Sequence, residues 1–269
     1  MIIEMSKLYL VPAKTDMERM CRLADEYDCA FEYNDFYLAK VLDDPESQEE
    51  IIKFYNNYRK SFIKDTMHGA FLDVTIHSSD PLIQEASMLR LNQSMEIAER
   101  MELRGVVFHT GRLAGFREPV YLANWEKINV EFFTRLADKY PKQQIYMENM
   151  FDEAPDILAK LAEQMRDVEN FGICLDYAHA IISGSSGKEW IAALAPYIKH
   201  MHINDNDLKN DLHRPVGSGS IDWEEFDSLV RKYGIDAPVL VEVNGYEAQK
   251  KSLEYMKQYG IYPMDKKEI

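Results

Sequence analysis

Residues 145–182, IYMENMFDEAPDILAKLAEQMRDVENFGICLDYAHAII, hold the pattern that decides the fold. A short apolar run, Ile145–Glu148, precedes an amphipathic stretch from about Ala154 to Met165, and a second apolar run, Gly172–Asp176, follows it. Short apolar runs suit parallel strands that are buried on both faces, and the stretch between them has the length of a helix. The segment therefore predicts a strand–helix–strand unit with a parallel pair of strands.

The same alternation recurs along the whole chain of 269 residues. The other predicted strands and helices are Leu8–Val11 with Asp16–Tyr27, Ala30–Tyr33 with Glu46–Arg59, Thr66–His68 with Pro81–Met101, Gly105–His109 with Tyr121–Lys139, a helix ending near Ala195 after the strand Gly172–Asp176, Ile198–Ile203 with Trp223–Tyr233, and Pro238–Val243 with Glu247–Tyr259. Eight such units predict an α/β fold, a (β/α)8 TIM barrel that occupies residues 1–269 as a single domain. The alternative, a doubly wound open sheet, needs a glycine-rich turn after an early strand, and LYLVPAKTD at residues 8–16 has none.

Composition narrows the class of protein. Hydrophobic residues make up 46% and charged residues 29% of the chain, which is ordinary for a globular protein and argues against disorder. The 31 basic and 46 acidic side chains give a net charge of −15, which disfavours nucleic acid as a partner. No apolar run approaches the ~20 residues of a membrane helix, and the N-terminus lacks the pattern of a signal peptide. Three cysteines without a CxxC pair complete the prediction of a cytoplasmic protein with reduced thiols and no membrane association.

Side chains able to bind a metal stand where six consecutive predicted strands end. These residues are His68, His109, Glu148, Asp176, His202 and Glu242, from the third strand to the eighth. His179 follows Asp176 by three residues, and the loop after the seventh strand adds Asp211 and His213. Because the chemistry of TIM barrels lies at the C-terminal ends of the strands, we expect these nine side chains around one rim.

The types of side chain indicate which metals would bind. Five imidazoles and four carboxylates without a thiolate suit zinc, manganese or ferrous iron better than calcium or magnesium. Nine ligands also exceed what one ion can use, so a site with two or three metals is expected. His200 lies two residues before His202 and faces the same way along the strand, so either it sits deeper in the barrel or it replaces His202 as the ligand.

Seven short motifs, in this order and at these intervals, resemble one protein superfamily. They are HGAFLD (68–73), VVFHTG (106–111), MEN (147–149), LDYAHA (175–180), HINDND (202–207), DLHRPVGSGSIDW (211–223) and VEVN (241–244). The chain resembles, over essentially its whole length, the xylose-isomerase-like TIM barrels. This superfamily is shared by sugar isomerases and epimerases and by AP endonucleases of family 2, the endonuclease IV type.

The resemblance implies roles for the nine residues. In both branches, the counterparts of Glu148, Asp176, His202 and Glu242 hold a divalent metal. The endonuclease branch adds five ligands that complete a three-zinc cluster. Carried over, the first zinc takes His68, His109 and bridging Glu148, the second takes Glu148, Asp176, His202 and Glu242, and the third takes His179, Asp211 and His213.

Two reactions follow from this resemblance. The first is hydrolysis of a phosphoester of a small molecule or sugar, with two or three zinc ions. The alternative is isomerisation or epimerisation of a sugar or sugar phosphate with one manganese, cobalt or magnesium ion, in which Glu148 and Glu242 are the catalytic acid and base. A barrel that binds metal without catalysis, as a partner or sensor, is a third hypothesis, and the complete ligand set argues against it. DNA is disfavoured because the loop at residues 33–50, YNDFYLAKVLDDPESQEE, is acidic.

Several other residues carry smaller expectations. Lys209 and Arg214 are candidates to bind a substrate phosphate or carboxylate, or else they are solvated loop charges. Asp205 and Asp207 are either acceptors for N–H groups of ligand histidines or solvated carboxylates. His77, in a polar loop, is expected to be exposed. Nothing in the sequence indicates an oligomeric state.

Overall fold

Eight parallel strands close into a barrel in the computed structural model, which describes residues 6–265. The strands follow one another in chain order, and β8 pairs with β1 through Leu8 and Val239, Tyr9 and Leu240, and Leu10 and Val241. Their bounds are β1 Leu8–Leu10, β2 Cys29–Tyr33, β3 Thr66–His68, β4 Gly105–His109, β5 Gln144–Glu148, β6 Phe171–Asp176, β7 Ile198–Ile203 and β8 Val239–Val241. The predicted (β/α)8 architecture is confirmed. The first five and last four residues of the predicted domain lie outside the described residues.

Helices follow the strands around the outside of the barrel. Their bounds are α1 Met17–Tyr27, α2 Ala39–Leu42, α3 Pro45–Asn56, α4 Pro81–Arg100, α5 Pro119–Lys139, α6 Asp156–Gln164, α7 Tyr177–Ile182, α8 Gly187–Leu194, α9 Trp223–Lys232 and α10 Tyr246–Tyr259. Proline at the first position and an acidic cap before it explain why α3, α4 and α5 begin where they do. No helix between residues 6 and 265 has both the length and the apolar content needed to cross a membrane.

The connection after β6 differs from the single predicted helix that ends near Ala195. The chain forms α7, turns at Ser183–Ser185, and begins α8 at a capping box in which Ser186 and Glu189 satisfy each other's backbone N–H groups. The hydroxyl of Ser183 also accepts a hydrogen bond from Nε1 of Trp190 at 2.8 Å, which fixes this turn. The separate, short α7 matters because it begins at the barrel mouth.

Aromatic and polar side chains fill the interior of the barrel. The ring of Tyr146 stacks on that of His200 at 5.0 Å, and Tyr9 meets His200 edge-on at 5.2 Å. Tyr9, Tyr146 and His200 are all fully buried. His200 therefore lies in a packed layer below the ends of the strands, in agreement with the interpretation that it sits deeper than His202.

Candidate metal centre

The strand register brings the predicted ligands next to one another at the C-terminal end of the barrel. His109 pairs with Glu148 between β4 and β5, and Asp176 pairs with His202 between β6 and β7. Glu242 lies one residue beyond β8, where its N–H donates to the carbonyl oxygen of Ile203 at 2.8 Å. Neighbouring strands of a parallel barrel end at the same rim, so the ends of these strands converge.

The nine predicted side chains form three groups, and within each group the potential ligand atoms lie within 4.8 Å of one another. The groups are His68, His109 and Glu148; Glu148, Asp176, His202 and Glu242; and His179, Asp211 and His213. The sequence prediction divided the residues in the same way. The structure thus brings all nine together, and their role as metal ligands stays a prediction.

Glu148 joins the first two groups. Its Oε2 lies 3.5 Å from Nε2 of His68, 3.4 Å from Nε2 of His109 and 3.4 Å from Nδ1 of His202. Its other oxygen lies 3.5 Å from Nδ1 of His179. One carboxylate in contact with both groups has the geometry of a bridging ligand between two metal sites.

Four of the candidate ligand histidines turn one ring nitrogen toward the carboxylates and the other toward a separate acceptor. Nδ1 of His68, His179 and His213 lies 3.0, 2.9 and 2.9 Å from the backbone carbonyl oxygens of Gly69, Asn149 and Glu242. Nδ1 of His109 lies 3.1 Å from the sulfur of Met150. A carbonyl oxygen can only accept, so Nδ1 of the three carbonyl-bonded rings carries a proton, and Nε2 is left for a metal when the ring is neutral.

The start of α7 holds two candidate ligands at once. Asp176 caps the helix, and its Oδ1 accepts a hydrogen bond from the backbone N–H of His179 at 2.6 Å. Asp176 belongs to the second group, and the His179 ring, three residues further on, reaches the third. The i, i+3 spacing in CLDYAH thus puts an N-cap carboxylate and an imidazole on the same side of the first turn.

The loop between β7 and α9 carries two members of the third group, and Asp205 organises this loop. The carboxylate of Asp205 accepts hydrogen bonds from the backbone N–H groups of Gly217 and Ile221 and from Nε1 of Trp223, at 2.9, 3.2 and 2.9 Å. Neither predicted alternative for Asp205 is correct, because it is buried and binds the loop rather than a histidine. Asp207 accepts from the backbone N–H groups of Lys209 and Asn210, also within the loop.

Two glycines and one histidine in this loop have special backbone requirements. Gly217 has a φ of 80°, and a Cβ on Gly219 would lie 2.3 Å from the carbonyl oxygen of Asn206. Both positions therefore require glycine to shape the turn into α9. His213 has a φ of 44°, a left-handed conformation that costs a non-glycine residue about 1 kcal/mol. Backbone strain of this kind is concentrated at functional sites.

Each carboxylate residue of the three groups has one buried oxygen atom without a hydrogen-bond partner. These atoms are Oε2 of Glu148, Oδ2 of Asp176, Oδ1 of Asp211 and Oε2 of Glu242. An unpaired carboxylate oxygen in the interior costs several kcal/mol unless a cation or a donor meets it. In addition, Nε2 of His68 lies 3.0 Å from Nε2 of His109, and two lone pairs at this distance repel unless a proton or a cation lies between them. The residues present therefore fit divalent metal ions.

The pKa values of side chains in these groups also indicate that the groups fit divalent cations. Burial alone would lower the pKa of His202, but the carboxylates of Glu148, Glu32 and Glu242 hold that pKa well above its ordinary value. Burial raises the pKa of Asp176 to about 7. Protons on imidazoles and carboxyls are what balances so many buried negative charges without a metal, and divalent cations would take their place.

A cavity of about 350 Å³ opens above the candidate ligands. Besides side chains of the three groups, it is lined by Asn34, Tyr37, Phe71, Met150 and Asn244. The ring of Phe71 lies 4.9 Å from the ring of His68 and 4.6 Å from that of His109, so it packs over the first group. Within residues 6–265, the lining of this cavity includes neither lysine nor arginine.

A family model described as xylose isomerase-like TIM barrel matches residues 18–259. The chain belongs to this family. A probable endonuclease 4 from Persephonella marina is 24% identical to it over 217 residues, which cover 73% of this chain and 75% of that protein. At least one relative of this xylose isomerase-like TIM barrel is thus named as a probable endonuclease.

Solved structures of similar fold include one soaked with zinc and one named for its likeness to an epimerase. The TTHB071 protein from Thermus thermophilus, soaked with zinc chloride, aligns with a TM-score of 0.73 and 20% identity over 94% of this chain and 97% of that one. A D-tagatose 3-epimerase-like protein has the same TM-score and identity over 93% of this chain and 96% of that one. At 20% identity, this similarity shows that the two proteins and this chain share the barrel fold.

Two predicted substrate-binding residues lie outside the cavity. Lys209 and Arg214 are exposed on the loop after β7, and Arg214 forms an isolated backbone bridge with Asp205. Sequence reasoning also missed two buried neighbours of the candidate ligands, Glu32 and Asn149. Asn149 had a usable signal, since it directly follows Glu148 in MEN, whereas Glu32 is one acidic residue within the strand CAFEY and gives no such signal.

Cys174 is a further neighbour that the ligand prediction left out. Its sulfur lies within 4.8 Å of potential ligand atoms of Glu148 and His202. Burial raises the pKa of the Cys174 thiol well above its ordinary value, so the neutral thiol is favoured over the thiolate that binds metals. A ligand set made of imidazoles and carboxylates, without Cys174, therefore stays the prediction.

Proposed function

We propose that this protein is a divalent-metal-dependent hydrolase that cleaves a phosphoester of a small molecule or sugar, with two or three ions, zinc by preference, at the mouth of the barrel. The observation that carries the proposal is the third group, His179, Asp211 and His213. One metal needs only the four residues Glu148, Asp176, His202 and Glu242. A second and a third cluster of candidate ligands, arranged around the same cavity, support a multinuclear centre.

Each ion would have its own set of ligand residues. His68, His109 and Glu148 would hold the first ion, Glu148, Asp176, His202 and Glu242 the second, and His179, Asp211 and His213 the third. Bound metals would lower the pKa of water and neutralise charge on phosphoryl oxygens. The protein's own contribution is orientation, because the candidate ligand histidines are held through their second ring nitrogens and Phe71 packs over the first group.

The cavity favours a small substrate over a duplex. Its volume of about 350 Å³ is at the lower end of the range for small-molecule sites. The chain has a net charge of −15, which would repel a polyanionic backbone, and among the described residues the cavity wall has neither lysine nor arginine. A single phosphoryl group would depend on the metals for its counter-charge. Lys209 and Arg214 remain candidates to bind a part of the substrate that extends out of the cavity.

The second candidate is a one-metal sugar isomerase or epimerase with Glu148 and Glu242 as acid and base. Two observations favour it. The carboxylates of Glu148 and Glu242 both approach Nδ1 of His202, at 3.4 and 3.5 Å, and both line the cavity. The neutral polar lining from Asn34, Tyr37 and Asn244 also suits hydroxyl groups. The similarity to a D-tagatose 3-epimerase-like protein is consistent with this alternative.

Metal content separates the two candidates. The protein is saturated with zinc and manganese, freed of loosely held ions, and analysed for metal per chain, after which a panel of phosphoesters and a panel of ketoses are assayed. Two or three tightly held zinc ions together with phosphoesterase turnover are expected. One ion together with epimerisation of a ketose would replace the hydrolase by the second candidate. A chain that retains no ion would overturn both.

A further inference from the structure

Glu32 is a fully buried carboxylate in the middle of the barrel interior, on β2. Its Oε2 accepts a hydrogen bond from the hydroxyl of Thr66 at 2.7 Å and lies 3.0 Å from Nε2 of His200. Its Oε1 lies 3.0 Å from Nε2 of His202. Among the described residues, the ion pairs of Glu32 are with these two imidazoles, so no lysine or arginine there neutralises it. A carboxylate this deeply buried is costly unless hydrogen-bond donors or cationic groups meet both of its oxygens.

His202 is turned the opposite way from the other candidate ligand histidines. The rings of His68, His179 and His213 direct Nε2 toward the metal groups and Nδ1 toward backbone carbonyls. His202 directs Nδ1 toward Glu148 and Glu242, and its Nε2 points down the barrel to Glu32. Its second ring nitrogen is therefore met by a side-chain carboxylate and not by a backbone carbonyl.

We propose that Glu32 is a positioning residue for the second metal group: it holds the proton of His202 on Nε2, so that Nδ1 is available as a ligand beside Glu148 and Glu242. This inference rests on the proposed metal centre. A carboxylate behind a ligand imidazole fixes its tautomer and its ring orientation and increases its basicity. Glu32 does so from below, through the barrel interior, where neither substrate nor bulk solvent reaches it.

Thr66 and His200 in turn fix Glu32. The threonine hydroxyl and Nε2 of His200 both meet Oε2, which leaves Oε1 for His202 alone. The ring of His200 is held between Tyr9 and Tyr146, so it cannot swing away. Glu32 and its polar partners make a connected layer directly below the candidate metal centre, and this rigidity is what accurate ligand placement needs.

A glutamine in place of Glu32 would be nearly isosteric, but it could not accept hydrogen bonds from all three neighbours of the carboxylate. A carboxylate has enough acceptor sites for His200, His202 and Thr66 together, whereas an amide has one oxygen and a donating NH2 group. With the NH2 group facing His202, the ring would be driven to the tautomer that carries its proton on Nδ1, which cannot bind a metal. With the NH2 group facing Thr66 and His200, the Thr66 hydroxyl and the His200 ring would both have to give up their present roles as donors to this position.

The direct test is the zinc affinity of Glu32→Gln, measured by competition with a chromophoric chelator and by metal content per chain. We expect one ion, that of the second group, to bind about 10- to 100-fold more weakly than in the wild type. The matched control is Asp65→Asn, which also converts a fully buried carboxylate to an amide but contacts Phe31, Tyr33 and Arg59 and no candidate ligand. It should lose stability and keep wild-type zinc affinity.

A second measurement on the wild type covers the case in which Glu32→Gln does not fold. In zinc-loaded protein labelled with 15N-histidine, the ring nitrogens report which atom binds metal. His202 should bind through Nδ1 and show an exchange-protected Nε2 proton, whereas His68, His179 and His213 should bind through Nε2.

The outcomes separate this inference from the proposed function. If the wild type binds zinc and Glu32→Gln binds it equally well, or if His202 binds through Nε2, the role of Glu32 is overturned and the metal centre stands. If the two buried carboxylate variants lose affinity equally, the effect is one of general destabilisation and the inference also fails. If the wild type binds no zinc at all, the metal centre itself is overturned.

Discussion

Asn149 and Asp176 are joined by two reciprocal hydrogen bonds, each of 2.9 Å. Nδ2 of Asn149 donates to the carbonyl oxygen of Asp176, and the backbone N–H of Asp176 donates to Oδ1 of Asn149. The carbonyl oxygen of Asn149 also accepts from Nδ1 of His179. One residue directly after Glu148 thereby positions a candidate ligand of the second group and one of the third.

Replacing Asn149 by alanine should weaken metal binding and stability together. The buried N–H and carbonyl groups of Asp176 would lose their partners, which costs about 2 to 4 kcal/mol. Asp176 would also lose its fixed orientation, so the zinc affinity of the second group should fall, whereas His179 keeps the backbone carbonyl oxygen of residue 149 as its acceptor. Chelator competition and thermal unfolding measure the two effects. Asn170→Ala is the control, because Asn170 bonds three backbone carbonyls of other residues and should affect stability alone.

The requirement for the third group can be tested with His213. His213→Ala removes one of the three side chains of that group and leaves the first two groups complete. For a multinuclear hydrolase we expect loss of one ion per chain and a fall in kcat of at least about 100-fold. Glu148→Gln should abolish turnover under either mechanism, since Glu148 belongs to both other groups. Near-normal turnover of His213→Ala would argue against a required third metal.

The loop that carries Asp211 and His213 should depend on Asp205. Asp205→Ala leaves Nε1 of Trp223 and three backbone N–H groups without their acceptor, which costs about 3 kcal/mol or more. Faster proteolysis within residues 206–220 and loss of the third ion are expected, with the first two ions retained. Asp222→Ala, which removes only the N-cap of α9, should cost about 1 kcal/mol and keep all ions. Equal zinc content in the two variants would contradict this role of Asp205.

Much of the fold and the positions of the candidate ligands could be predicted because they depend on local pattern. Apolar runs separated by amphipathic stretches predict the barrel, and a His, Asp or Glu at the end of a run predicts a side chain at the mouth. The division into three groups came from the resemblance, and the structure reproduces it through the strand register, in which His109 faces Glu148 and Asp176 faces His202.

What the sequence did not reveal depends on contacts between distant positions. Glu32 stands 168 residues from His200 along the chain, and nothing around CAFEY indicates that the two meet inside the barrel. Asn149 meets Asp176 at a separation of 27 residues. The prediction that His77 is exposed was wrong for the same reason, because residues of the next strand–helix loop and of α5 cover it.

The burial of His77 leads to a prediction about pH. Nε2 of His77 lies 2.9 Å from the hydroxyl of Tyr121, and that hydroxyl accepts from the backbone N–H of Leu113 at 2.8 Å, so its own hydrogen is available to donate to an unprotonated imidazole. Burial, together with the charge of Arg112, lowers the pKa of His77 to about 4. In the unfolded chain the pKa is about 6.5, so the unfolded state binds more protons between these values, and stability falls as the pH drops through this window.

His77→Gln should remove this contribution. Between pH 6.5 and pH 4.5 the free energy of unfolding of the wild type should fall by about 1 to 2 kcal/mol more than that of the variant, while above pH 7 the difference between them should be constant. Urea unfolding of both proteins at several pH values, in the presence of a chelator, measures the two slopes. Titrations of the candidate metal ligands occur in both proteins and cancel in the comparison. Parallel curves from pH 7 to pH 4 would mean that His77 titrates alike in the folded and unfolded chains, and that its bond to Tyr121 does not depend on the neutral ring.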